Sequence, residues 1–216
     1  MALSTTPDRR AALKSRHREA ILRAARDLVD ERGGPGFGVD ELAERADVAR
    51  RTVFNHFASL DEVLLTLCGD ALDVLIDDFV GAVAALPRGG GTRSSMFDEI
   101  AQTLRSADLP SAIVRIASIL GTPVPTEDDP RGRALSEVAF ARAATRLLAE
   151  VLRRNPGVDV LDAELLVGSM MNGVIVVSGY WIRDTGIDLG PAGRTAWHDL
   201  LTRLIDSVRS GYTAPS

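Results

Sequence analysis

Arg50, Arg51, Asn55 and His56 lie close together in the run Val48-Ala-Arg-Arg-Thr-Val-Phe-Asn-His56. Residues three or four apart share one face of a helix. Arg50 and Phe54 are therefore one turn apart, and so are Arg51 and Asn55. A guanidinium can give two hydrogen bonds to guanine O6 and N7, and a carboxamide can pair with adenine N6 and N7. His56 falls near the end of such a helix, where an imidazole can meet a phosphate. Thr52 belongs to the same polar set, although its spacing also puts it beside Val48 and Val53 on an inner face. The chemistry open to these types is recognition of base edges and phosphate. The competing reading is a solvated helix face that binds nothing.

The residue types used in catalysis form no comparable set. The three histidines, His17, His56 and His198, lack metal-ligand spacing, and Cys68 has no histidine near it in sequence. Asp77-Asp78 and Glu127-Asp128-Asp129 are candidate magnesium ligands. The first pair falls on an amphipathic helix and the second in a Pro-rich loop, where solvated carboxylates are ordinary. Gly89-Gly90-Gly91 has no lysine after it, so it is not a phosphate-binding loop. These observations predict no enzyme, no metal and no cofactor.

The elements that must position the polar run are helices. Ile21, Ala24, Ala25, Leu28 and Val29 repeat with helical period up to Gly33-Gly34. Val39, Leu42, Ala43 and Ala46 mark a short second helix, and Val48, Thr52 and Val53 give the inner side of a third. Ala43, Asp47 and Val53 have helix-turn-helix spacing. Ala43 is small enough for a close crossing, Asp47 tolerates the left-handed conformation of a tight turn, and Val53 points inward. Such a pair lays its second helix in the major groove.

Ser59 and Glu62 form a capping box at the start of a fourth helix, which carries Leu64, Leu67, Cys68, Ala71, Leu75 and Phe79. Further helical repeats follow to the end of the chain, interrupted by Gly- and Pro-rich loops. The expected fold is all-α with about nine helices. Residues 1–58 would be an N-terminal arm and three-helix DNA-binding domain, and 59–216 a larger helical bundle.

Composition agrees once it is divided. The chain has 216 residues, 45% hydrophobic and 25% charged, with a net charge of -5. Residues 1–60 hold 11 basic and 9 acidic side chains, and residues 61–216 hold 14 and 21. The N-terminal part is thus net positive and the remainder strongly negative. Arg9, Arg10, Lys14, Arg16 and Arg18 read as a basic arm preceding the first helix, with Arg16 a candidate phosphate contact. The N-terminus has no apolar signal region, and the single cysteine fits a reducing, cytoplasmic setting. Leu165–Ile182 is free of formal charge, but polar residues inside it and charges flanking it favour a buried or interfacial helix over a membrane span.

The segment Val39-Asp-Glu-Leu-Ala-Glu-Arg-Ala-Asp-Val-Ala-Arg-Arg-Thr-Val-Phe-Asn-His-Phe57, with its continuation into Ala-Ser-Leu-Asp-Glu-Val-Leu-Leu65, resembles the DNA-binding region of TetR-type transcriptional regulators. Ile21 to Gly33 is similar to that family's first helix. The resemblance implies a homodimer that reads a palindromic double-stranded operator, through Arg50, Arg51, Thr52, Phe54, Asn55, His56 and Arg16 in this chain. It also implies repression as the default, a small-molecule effector pocket in the larger domain, and dimerisation through the last two helices. Leu200, Leu201, Leu204, Ile205 and Val208 form an apolar stripe suited to that interface. Met96, Phe97, Phe140, Met170 and Met171 are candidate pocket residues, with Arg115 as a candidate anchor for an anion.

Several positions depart from the family's pattern. Gly38, Asp47, Ala49, Phe54 and Leu60 stand where Thr or Ser, Gly, Ser or Thr, Tyr, and Lys are usual. Fewer backbone contacts to DNA are then available, which predicts a shallower salt dependence of binding. It also keeps open the alternative of a helical protein-interaction module with lost or weakened DNA binding.

Overall fold

Helical period governs every described segment. The computed structural model describes residues 6–84, 91–121 and 130–212, and among these are nine α-helices and no strand. They are α1 (Thr6–Arg32), α2 (Val39–Arg45), α3 (Arg50–His56), α4 (Leu60–Ala84), α5 (Arg93–Ser106), α6 (Leu109–Leu120), α7 (Pro130–Arg154), α8 (Val160–Thr185) and α9 (Pro191–Tyr212). The acidic run Glu127–Asp129 and the segment Arg88–Gly90 lie outside the described residues.

The basic residues expected to precede the first helix lie on it. α1 begins at Thr6, because Pro7 suits a first turn and Ala11, Ala12 and Leu13 follow without a breaker. Residues 11–16 are exposed, and core packing begins only at Ile21. Gly33, at φ +66°, ends the helix in the left-handed conformation.

One hydrophobic cluster joins Ile21, Ala25 and Leu28 of α1 with Leu42 and Ala43 of α2, Val53 of α3, and Leu64 and Leu67 of α4. Phe37 and Phe57, in the connecting loops, complete it. The same cluster continues through α4 into Ile116, Ile119 and Leu120 of α6 and Leu135, Ala139 and Ala143 of α7. The entry to α4 is capped as the sequence suggests, with a shift. The Glu62 backbone N–H donates to Ser59 Oγ at 3.2 Å, while the Glu62 carboxylate accepts from the Ala58 N–H at 2.5 Å, one residue further back than in the usual box.

A second cluster holds α5, α8 and α9 together around Phe79, Met96, Leu166, Trp181, Trp197 and Ile205. The Trp181 and Trp197 rings meet edge to face, 5.9 Å apart. The Trp181 indole N–H donates to the Gly193 carbonyl at 2.8 Å. α8 and α9 approach closely at Gly173, where a Cβ would lie 2.1 Å from Leu204 Cδ1. At the end of α7, the buried Arg154 guanidinium pairs with Glu99 of α5 at 2.5 Å, and Asn155 Nδ2 donates to the other Glu99 oxygen at 3.1 Å.

The apolar stripe on α9 faces inward. Leu201 and Ile205 are buried against α5 and α8, and Leu200, Leu204 and Val208 pack partly on the same cluster. The outward side of α9 is polar, with His198, Asp199, Arg203 and Asp206 exposed. Most of the exposed large apolar side chains are on α8 instead. Leu161, Leu165, Val176 and Tyr180 are each about half exposed or more and recur at helical spacing along one face.

Candidate nucleic-acid interface

α2 and α3 enclose a tight turn. Asp47 adopts φ +52°, its backbone N–H donates to the Glu44 carbonyl at 3.1 Å, and the next N–H, of Val48, donates to the Ala43 carbonyl at 3.0 Å. Neither helix start has a side-chain cap, because Gly38 and Ala49 have no oxygen to accept an N–H. Leu42, Ala43 and Val53 are buried, and this fixes the rotation of both helices about their axes. The opposite face of α3 is thereby turned to solvent.

That face carries most of the predicted residues. Arg51, Phe54 and Asn55 are exposed, and Arg51 and Asn55 make no hydrogen bond or ion pair with the described residues. Thr52 is half-buried toward the inner side. Arg50 is exposed but engaged. Its Nη1 donates to both carboxylate oxygens of Asp40 on α2, at 2.6 and 2.5 Å, and its guanidinium lies 5.7 Å from the Phe54 ring centroid. This Asp40 contact was not legible in the sequence, because it spans two helices and a turn.

The end of α3 lies against α1. The His56 and His17 rings meet edge to face, 6.1 Å apart. Partial burial, together with the positive neighbours His17, Lys14 and Arg18, holds the His56 pKa below its ordinary value. Arg18 lies over the Phe57 ring at 4.5 Å, and Arg16 is exposed on the same turn of α1. Lys14, Arg16 and Arg18 therefore sit on a helix beside the α3 terminus instead of on a loose arm. The arrangement presents a hydrogen-bonding helix face flanked by cations, which suits base edges and phosphates.

The larger part of the chain encloses two small cavities, each of about 80 Å³. The first lies among Ile76, Phe79, Ile100, Leu147, Val167 and Met170. The second lies among Ala112, Ile113, Ile116, Ala117, Leu120 and Ser136. Leu72, Leu75, Leu109, Phe140 and Val174 line both, so the two are adjoining lobes. Phe140, Met170 and Met171 are thus brought to the cavity wall.

Three candidate pocket residues are not. Met96 is wholly buried in the second core cluster, and Phe97 packs there beneath the Arg209 guanidinium at 4.9 Å. Neither side chain lines the void, and Phe97 faces α9. Arg115 lies on the polar side of α6, where its guanidinium pairs with Asp30 of α1, in an open cleft with Arg26, Asp70 and Asp78. Its carboxylate partner comes from the N-terminal module and is supplied by the chain itself. The end of the same helix touches that module too. Gly121, at φ +74°, lies so close to Pro35 that a Cβ there would be 2.5 Å from its Cδ.

Among the other candidate reactive groups, Cys68 is buried and Asp77 is ion-paired. Burial pushes the Cys68 thiol up to about 12, far from a reactive thiolate. Asp77 pairs with Arg146 at 2.5 Å, and Asp73 pairs with the same guanidinium. Among the described residues no group of three or more His, Cys, Asp or Glu side chains is placed to hold a metal. α8 is long and apolar enough to cross a membrane by length and composition, and in the fold it packs against α7 and α9.

The profile of the bacterial regulatory proteins of the tetR family matches residues 21–67. No curated protein matches the chain in sequence. Solved structures are similar to it in fold. A transcriptional regulator from Rhodococcus sp. Rha1 superposes with a TM-score of 0.50 at 22% identity, over 92% of this chain and 99% of that one. A protein of Mesorhizobium loti described as a tetR-family transcriptional regulator gives 0.50 at 16% identity, over 90% and 97%. The matched segment spans the whole of α2, the turn and α3 with the parts of α1 and α4 that hold them, and in this N-terminal segment the chain is similar to the tetR family of bacterial regulatory proteins.

Proposed function

We propose that this protein is a cytoplasmic, ligand-responsive transcriptional repressor that binds a palindromic operator as a homodimer. The observation that carries the reading is the outward face of α3, where Arg51 and Asn55 are exposed and Arg50 and Phe54 lie beside them. Arg16 and His56 would meet phosphate, and Thr52 would reach the backbone from the edge of the helix.

Dimerisation would use α8 more than the predicted stripe on α9. The face bearing Leu161, Leu165, Val176 and Tyr180 is exposed, with Ser169 and Asn172 among these apolar side chains. A two-fold pairing of that face would bury it and set two recognition helices for successive major grooves, ~34–36 Å or a multiple apart. Response to a ligand would run through α6, which lines one lobe and also holds α1 through Arg115–Asp30 and the Gly121–Pro35 contact. A ligand that binds one position of α6 better than another would shift the spacing of the DNA-binding modules.

Selection of bound sequences from random DNA with the purified protein tests the reading. A two-fold symmetric site, lost with Arg51→Ala, is the expected result. Loss of dimer in sedimentation with Val176→Glu is its companion. An absence of any sequence preference at low salt would favour the interaction-module alternative.

A further inference from the structure

The two-lobed cavity carries one polar group without a partner. Ser136, on α7, is buried, with 6% of its surface exposed, and its Oγ has no hydrogen-bond partner among the described residues. Ser136 lines the second lobe. A buried hydroxyl left unpaired is costly and uncommon. The other hydroxyl in that wall, of Ser178, donates to the Val174 carbonyl at 2.6 Å. No charged side chain lines either lobe among the described residues, and the first lobe is lined by apolar side chains alone.

We infer that this cavity takes an uncharged, largely apolar ligand with a single hydrogen-bonding group, which meets Ser136 Oγ in the second lobe while the carbon skeleton fills the first. The inference rests on the ligand-responsive reading above and gives that site its chemistry. A charged ligand is excluded by desolvation, since neither lobe offers a counter-ion. Arg115 cannot serve, because it lies outside both lobes and is paired with Asp30. Size follows from volume. A water-sized group needs roughly 10–15 Å³, so two lobes of about 80 Å³ each accept on the order of a dozen non-hydrogen atoms. A medium-chain alcohol, ketone or ester has this size and polarity.

Calorimetric titration of the full chain with 1-decanol and with decanoate at pH 8 tests it. The expected result is decanol binding at least tenfold tighter than decanoate. Ser136→Ala is nearly isosteric and should weaken decanol about fivefold to tenfold, the net worth of one hydrogen bond, without altering decanoate. Ala143→Leu, which fills the first lobe, should abolish decanol binding. If that variant fails to fold, the Ser136→Ala comparison decides alone.

Equal or tighter binding of decanoate overturns the inference. So does unchanged decanol affinity in Ser136→Ala, which would mean that the hydroxyl meets an internal water only. Absence of decanol binding overturns it too. Affinity for the selected DNA is measured alongside. Ser136-dependent decanol binding that leaves DNA affinity unchanged overturns the effector reading and supports the ligand class. A DNA response to decanoate alone overturns the ligand class and supports the effector reading.

Discussion

Asp40→Asn should tighten DNA binding. In the free protein Arg50 is held by Asp40, with contacts of 2.5 and 2.6 Å and with 58% and 76% of the two side chains exposed. A pair this exposed is worth about 0.2–1 kcal/mol, and Arg50 must give it up to reach a base edge. The Asp40 carboxylate is also exposed beside Arg50, next to the outward face of α3 that is proposed to meet DNA. At a separation near the Debye length its screened repulsion from a phosphate is about 0.2 kcal/mol in water. Together the two effects amount to about 0.4–1.2 kcal/mol, or roughly twofold to eightfold in affinity. The asparagine variant keeps the size of the side chain and removes the charge, so α2 should fold unchanged.

The assay is fluorescence anisotropy with the selected operator at several salt concentrations, with thermal melting as the control for folding. The gain should shrink as salt rises, because screening weakens both contributions. It should also be smaller in an Arg50→Ala background, where only the repulsion is left to remove. Unchanged or weaker binding by a folded Asp40→Asn protein would refute the reasoning. An equal gain with and without Arg50 would refute the pairing in particular.

Ala49→Ser should stabilise the protein by about 1 kcal/mol in urea denaturation, because Ala49 already has the extended backbone of a cap (φ -69°, ψ 145°) but no accepting oxygen. Glu99→Ala should cost about 3–5 kcal/mol, since it strands the buried Arg154 guanidinium and removes a partner of Asn155; a cost below about 1 kcal/mol would show the ion pair to be dispensable. His56 should make stability depend on pH. Its folded pKa lies below the unfolded value of about 6.5, so the unfolded chain binds more protons between the two. Stability is then full above about pH 6.5 and falls as pH drops toward the folded value. His56→Asn should flatten that segment of the profile, measured as melting temperature between pH 7.5 and 5.

Much of the geometry of the candidate site was legible because it is local. Ala43, Asp47 and Val53 fall within one helix-turn-helix, and two buried positions on so short a helix settle which way Arg51 and Asn55 point. The missing caps at Gly38 and Ala49 were legible for the same reason, since a cap depends on a single side chain. The partners of those residues were not. Asp40 on Arg50 and His17 against His56 depend on how three helices cross.

The pocket candidates separate along the same line. Phe140, Met170 and Met171 share apolar character with Met96 and Phe97, but only the orientation of each helix in the bundle decides which borders a void. Arg115 found its counter-charge on Asp30, 85 residues away, where no sequence pattern connects them.

By itself, the amino-acid sequence determined the helices, most of their approximate ends though not the early start of α1, the turn and the polar face of α3. Each follows from a period of 3.6 residues, from Pro and Gly, or from a residue that tolerates positive φ. Tertiary structure decided what each apolar face meets. The stripe on α9 and the face on α8 have the same period, but Leu201 and Ile205, with Trp197 of the same helix, are buried in the core shared with α5 and α8, while Leu161, Leu165, Val176 and Tyr180 are left uncovered. Periodicity states that a face must be buried; only the packing of the remaining helices states whether the same chain buries it.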